Sequence, residues 1–302
     1  MSAKTSNPKG NLMIIIATLI WGAGYVAQSA GMYHVSPLTF NAVRFAIGGT
    51  IALGPTLFFL SRRKSAGISK STITAGIICG AVLCVAINLQ QFGIVFTTVA
   101  NASFITALYV IMVPIASLIF FRKKAGIFVW VGVAVAMTGM YFLALSDGFN
   151  VNIGDILVFL CAIAFTAQIL IISHFSPKHN VLVLACVQFY VVALISLVLA
   201  FIFETPSATS ILDAAPYVLY TGVLSSGVAY ILQMKAQKTT DATIAAVLFS
   251  FESVVAAMVG WFILGQFLTP RELLGCVLIF IAILAAQMPE LSGNKKTNLP
   301  MP

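Results

Sequence analysis

Residues 71–93, "STITAGIICGAVLCVAINLQQFG", contain no charged side chain, and neither do residues 11–30. Residues 242–265 contain one, Glu252. About 20 such residues in helical form cross the ~30 Å hydrocarbon core of a bilayer. Only 8% of the chain is charged and 60% is hydrophobic, whereas ordinary soluble domains carry about 25% charged residues. A water-soluble surface cannot be built from this material. The expectation is an all-α polytopic membrane protein.

Similar runs predict ten transmembrane helices, near 11–30, 38–60, 71–93, 100–121, 125–145, 153–173, 180–203, 213–236, 242–265 and 270–288. The connections, such as "SRRKSAGISK" and "ETPSATSILD", are short and hold Gly, Pro, Ser or charge. They leave no room for a soluble domain. The tail after Pro289, "ELSGNKKTNLPMP", reads as polar and disordered. The first apolar run has two readings, a cleaved signal peptide ending near "AQSA" or an uncleaved first span. The second is preferred, because the same Ala-Gln word returns at 167–168.

That word belongs to a longer echo. "YVAQSAGMYHVSP" (25–37) and "FTAQILIISHFSP" (165–177) share Ala27/Ala167, Gln28/Gln168, His34/His174, Ser36/Ser176 and Pro37/Pro177. At a shift of 142, Gln91, Thr97, Thr98 and Ala100 match Gln233, Thr239, Thr240 and Ala242, and Arg44-Phe45 answers Gln188-Phe189. Cytoplasmic loops retain Lys and Arg, and an N-terminus inside the cell collects fourteen of the sixteen on one side. They are Lys4, Lys9, Arg62, Arg63, Lys64, Lys70, Arg122, Lys123, Lys124, Lys178, Lys235, Lys238, Lys295 and Lys296; Arg271 falls outside and Arg44 within a span. Ten spans divide into five plus five. Five is odd, so the second copy starts from the opposite side. The expectation is two inverted five-helix repeats, 11–145 and 146–288, with a cytoplasmic tail at 289–302.

Inverted repeats place a binding site where the halves meet, near the midplane. Trp21, Tyr25 and Gln28 form one helical stripe, answered by Cys161, Phe165 and Gln168. Asn88 and Gln91 share a face of the third span, and Ser103, Thr106 and Tyr109 follow at steps of three in the fourth. The eighth carries Ser226, Tyr230, Gln233 and Gln237. Unsatisfied polar groups are costly in hydrocarbon, so these stripes face either a wet cavity or a packed neighbouring helix. The substrate-cavity candidates are Trp21, Tyr25, Gln28, Asn88, Gln91, Ser103, Thr106, Tyr109, Gln168, Tyr230 and Gln233. Two ionisable residues lie at membrane depth, Glu252 about 15 Å past Ala242 and Arg44 about 9 Å past Leu38. Such residues are functional candidates for charge binding or coupling. Glu252 could exchange a proton or meet a cation; the alternatives are a permanently protonated Glu252 and an Arg44 that snorkels outward.

The five cysteines (79, 84, 161, 186, 276) lie in apolar spans without CxxC spacing, which argues against disulfides and a metal site. No cofactor is called for. The net charge of +8 is a topology signal, with no basic domain to bind nucleic acid. No GxxxxGK[ST], GxSxG or HExxH occurs, so ATP-driven transport and membrane-embedded hydrolysis are disfavoured. The chain is read as a non-enzyme. Gly76 and Gly80 form a GxxxG, and Pro55 and Pro114 are potential kink sites.

"LIWGAGYVAQSA" with Arg44 beyond it, "QQFGIVFTTVANASFITALYVIMVPIA", "YTGVLSSGVAYILQMKAQKTT" and "FESVVAAMVGWFILGQFLTPRELLG" resemble the drug/metabolite transporter superfamily, EamA family. The resemblance covers about residues 11–288. It implies two inverted five-helix repeats, a central cavity and secondary transport of small metabolites, often amino acid efflux. The chain departs from the family pattern at Glu252-Ser253, where Glu-Pro is common, and at Gln266, where an acid is common. The reading is a plasma-membrane secondary transporter for a small-molecule substrate, working by alternating access and coupled to protons. A channel or a sensor is the alternative. Its partners are the lipid bilayer and the substrate, and a homodimer is one assembly the sequence allows.

Overall fold

The computed structural model describes residues 7–62, 68–123, 125–144, 152–264 and 269–293. The expected repeat junction at 145–146, Gln266, the tail from residue 294, and Lys4, Arg63, Lys64, Lys124, Lys295 and Lys296 lie outside the described residues. Those described form helices and short turns: α1 (Pro8–Gly31), α2 (Pro37–Arg62), α3 (Lys70–Phe96), α4 (Val99–Thr106), α5 (Tyr109–Phe121), α6 (Ile127–Ala144), α7 (Ile153–Phe175) and α8 (Val181–Phe203). The short α9 (Ala208–Asp213) and α10 (Ala215–Leu219) follow, then a π-helix (Tyr220–Ala229), α11 (Tyr230–Ala236), α12 (Ala242–Phe249), α13 (Phe251–Leu264) and α14 (Pro270–Gly293).

Among the described residues, eight helical stretches are long and apolar enough to cross a membrane, including Lys70–Phe96, Val181–Phe203 and Ala242–Ile263. Among the same residues, the expected fifth and tenth spans contain the apolar stretches Ile127–Phe142 and Leu273–Ala285. They belong to α6 and α14, which pack closely against each other.

Packing partners are exchanged in a reciprocal pattern. The second helix, α2, packs on α8; α3 packs on α7, and α1 packs on the π-helix and α11; α1 meets α13, and α7 meets α4 and α5. Small residues permit these approaches. A Cβ on Gly22 of α1 would lie 2.5 Å from Val255 Cβ and 2.7 Å from the Glu252 carbonyl oxygen; one on Gly80 would lie 2.7 Å from Val191 Cβ. Gly76 likewise abuts Val187, so the GxxxG is a contact of α3 with α8.

Helix ends are satisfied by specific side chains. Asn152 and Asp155 form a capping box on α7, and Thr97 at the end of α3 donates its hydroxyl to the same Asp155. At the start of α2 the Leu38 and Thr39 amides donate to Glu204 at 2.8 and 2.9 Å, and the Thr39 hydroxyl adds a third bond at 2.7 Å. A carboxylate at a helix N-terminus meets both free N–H groups and the positive end of the dipole. Glu204 thereby ties the end of α8 to the start of α2.

Neither Pro55 nor Pro114 ends its helix. The interruption of the fourth span lies before Pro114, at Ala107–Leu108, where Leu108, Val110 and Ile111 donate to residues three positions back. The ninth span is interrupted at Ser250, where Ser253 donates to the Ser250 carbonyl. Shifted by 142, Leu108 falls on Ser250. The two breaks occupy equivalent positions of the duplicated pattern.

Candidate functional site

Both breaks open onto one cavity, built from α1, α2, α3, the fourth and ninth spans, α7, the π-helix and α11. Tyr109 is the first residue of α5 and Glu252 stands in the first turn of α13, so each side chain projects from the fresh start of a half-helix. Their meeting is direct: the Tyr109 hydroxyl donates to Glu252 Oε1 at 2.8 Å. Serines take up carbonyls near the breaks. The Ser250 hydroxyl donates to the Val247 carbonyl at 2.7 Å, and the Ser253 hydroxyl crosses to the Ser103 carbonyl at 3.1 Å. Interrupted helices of this kind are tolerated at membrane depth where protein or a cavity covers them.

The first helix contributes the stripe expected of it. Trp21, Tyr25 and Gln28 all line the cavity. The Trp21 ring lies 4.9 Å from that of Tyr230 and 5.5 Å from that of Phe249, and its indole N–H donates to the Ser225 carbonyl of the π-helix at 3.2 Å. Tyr25 accepts from Gln90 at 3.0 Å, and the same Gln90 amide reaches Thr106 at 3.4 Å. One turn further, Gln28 accepts from Arg44 Nη1 at 2.9 Å. Across the cavity Gln233 donates to Gln168 at 3.1 Å.

Arg44 does not snorkel. It is 2% exposed, with its guanidinium carbon 5.1 Å from the Phe45 ring centroid and 5.5 Å from that of Phe40. Glu252 is 5% exposed, and no ion pair joins it to Arg44 among the described residues. The cavity thus holds one basic and one acidic side chain that do not neutralise each other. Its volume is about 40 Å³, room for about three waters at the ~10–15 Å³ each requires. A metabolite enters only if the lining moves.

Of the residues singled out by sequence, Trp21, Tyr25, Gln28, Thr106, Tyr109, Gln168, Tyr230, Gln233, Arg44 and Glu252 line this cavity; Asn88, Gln91 and Ser103 do not. Asn88 joins helices instead, accepting from Asn41 at 2.8 Å and donating to Ser196 at 3.1 Å. Gln91 is fully buried, and neither end of its amide has a partner among the described residues. Ser103 turns its hydroxyl onto the Ala100 carbonyl. The expected three-step stripe fails within α4 itself, where Thr106 lines the cavity and Ser103, on the same half-helix, does not, while Tyr109 beyond the break does. Sequence reasoning passed over Gln90, Ser225 and Phe249. The face of α3 toward the cavity carries Ile87 and Gln90, one position out of phase with Asn88 and Gln91. Among the described residues no cluster of His, Cys, Asp or Glu could hold a metal ion.

The sequence model of the EamA-like transporter family matches residues 8–145 and again residues 152–287. An uncharacterized transporter of Archaeoglobus fulgidus is 32% identical over 278 residues, covering 92% of this chain and 85% of that relative. The uncharacterized transporter YoaV of Bacillus subtilis is 26% identical, covering 90% and 94%. A solved crystal structure superposes with a TM-score of 0.77 at 17% identity, covering 95% of this chain and 100% of that one; it speaks for the fold. Multiple apolar helices, a polar cavity among them and two family matches in tandem lead to one conclusion: the chain belongs to the EamA-like transporter family and is a multi-pass membrane transporter.

Proposed function

We propose that the protein is a secondary transporter that exports a small polar metabolite, an amino acid or related compound, from the cell by alternating access. The observation that carries this reading is the cavity itself. It is enclosed among helices from both tandem family matches, lined by polar and aromatic groups, and too small as it stands for a metabolite. Rocking one set of helices against the other is the movement that would enlarge it toward one side at a time.

The ten apolar helices then form two inverted five-helix repeats, α6 and α14 supplying the fifth and tenth spans. Three features support the inversion: the reciprocal packing of α3 with α7 and of α1 with the π-helix, the equivalent breaks at Leu108 and Ser250, and the odd number of spans per copy. In the plasma membrane, the distribution of Lys and Arg favours an orientation with both termini in the cytoplasm. Glu252 supplies the coupling group, a buried carboxyl group whose hydrogen-bond partner, Tyr109, belongs to the opposite copy.

Counterflow in proteoliposomes tests the reading. Vesicles loaded with single unlabelled amino acids are given the labelled form outside. Transient accumulation above equilibrium supports a carrier. Flux that never saturates and shows no counterflow would point to a channel.

A further inference from the structure

The duplicated pattern is chemically uneven at Arg44. Gln28 and Gln168 are equivalent, but the residue that answers Arg44 is Gln188. One copy therefore carries a cation where the other carries a neutral amide. Arg44 is 2% exposed, faces the cavity, and spends only Nη1 on a hydrogen bond, to Gln28. Its Nε and Nη2 have no partner among the described residues. Phe40 and Phe45 offer their ring faces to the guanidinium, which offsets part of the cost of burial without supplying a counter-charge. An unpaired guanidinium in such a place is costly.

Nearby acids do not answer it. The backbone of Glu252 packs at the level of Gly22, six residues or about 9 Å along α1 from the level of Gln28. No described acid lies within 4.0 Å of Arg44. What fits two N–H donors in a planar fork is a carboxylate.

We propose that Arg44, held in place by Gln28, is the subsite that receives the carboxylate of the transported molecule. This assignment rests on the transporter reading above. The substrate then lies with its carboxylate toward α2 and the rest of the molecule toward Trp21, Tyr230 and the two broken helices. A free inorganic anion could satisfy the same donors, so the test separates the two sources.

Purified full-length protein is titrated by intrinsic tryptophan fluorescence, Trp21 being in the cavity wall, with free L-amino acids and with the matching amino acid amides. Sodium chloride and sodium phosphate are titrated separately. Wild type is expected to bind at least one free acid about tenfold or more tightly than its amide, as a charge-assisted fork requires. Arg44→Gln brings acid and amide within about twofold, and Arg44→Lys restores part of the preference, which a merely misfolded variant would not do. Absence of any acid-over-amide preference in wild type, whether because the pairs bind equally or because none binds, overturns the proposal. So does a preference that survives Arg44→Gln. Chloride or phosphate that saturates the signal, competes with the acids and loses its effect in Arg44→Gln also overturns it, by assigning the site to an inorganic anion. Counterflow of the same amino acids separates the two levels of the account. Counterflow without acid preference leaves the transporter reading standing and removes the subsite; acid preference without counterflow does the reverse.

Discussion

The Tyr109 hydroxyl donates a 2.8 Å hydrogen bond to Glu252, and with that bond the interrupted fourth span holds the interrupted ninth. The two residues lie 143 positions apart in sequence. Each follows a break that the other's half repeats at an equivalent position. A movement that separates these half-helices has to stretch or break this contact, which makes it a natural point for linking a proton to a change of access.

Replacing Tyr109 with Phe removes the donor while keeping the ring against Phe249, whose centroid is 6.4 Å away. A hydrogen bond to a carboxyl group contributes about 1.5–3 kcal/mol when the group is ionised and about 1 when neutral. Gradient-driven transport should fall about tenfold in Tyr109→Phe. In a background that already carries Glu252→Gln, the same change should have little further effect, as a double-mutant cycle on initial rates would show.

Close approach of α1 to α13 depends on Gly22. A side chain there would overlap Val255 and the Glu252 carbonyl, and overpacking of this kind costs about 1–3 kcal/mol. Gly22→Val should lower the thermal unfolding midpoint in detergent. Gly54→Ala is the contrast: nothing lies within 4 Å of its added Cβ, so it should be neutral or slightly stabilising.

Asn88 tests the distinction between packing and lining. It bonds Asn41 of α2 and Ser196 of α8 and stays out of the cavity. Asn88→Ala should destabilise the protein by about 1–3 kcal/mol, the cost of stranding buried polar partners, and leave substrate affinity within about twofold.

Orientation is open to labelling. Single cysteines at positions 62–64 should react with a membrane-impermeant thiol reagent only after the cells are permeabilised. Reaction in intact cells would reverse the assigned sidedness.

Much of the fold was legible because long uncharged runs admit few alternatives. The run 71–93 became Lys70–Phe96, and 180–203 became Val181–Phe203. The echo of Gln28 in Gln168 and of Gln91 in Gln233 pointed to duplication, and most of the polar stripe residues converge on one cavity. The breaks were not legible. Neither Ala107–Leu108 nor Ser250 is a Gly or Pro, so the usual breaker residues do not mark them. The π-helix at Tyr220–Ala229 is hidden too, since one extra residue per turn leaves no composition signal. Helical phase was the third difficulty. In α3 the exposed side, with Ile73, Ile77, Ile78 and Val85, is as apolar as the buried side, so no polarity contrast fixes which residues meet the cavity, and Gln90 was passed over for Asn88 and Gln91.

The most direct test of the account compares wild type with Glu252→Gln in proteoliposomes, measuring pH-gradient-driven uptake and counterflow of the same labelled amino acid side by side. The account predicts that Glu252→Gln loses gradient-driven uptake and keeps counterflow, because the cavity still binds and alternates while the coupling carboxyl group is gone. Gradient-driven uptake that is unchanged in Glu252→Gln, with the same dependence on pH as wild type, would contradict it.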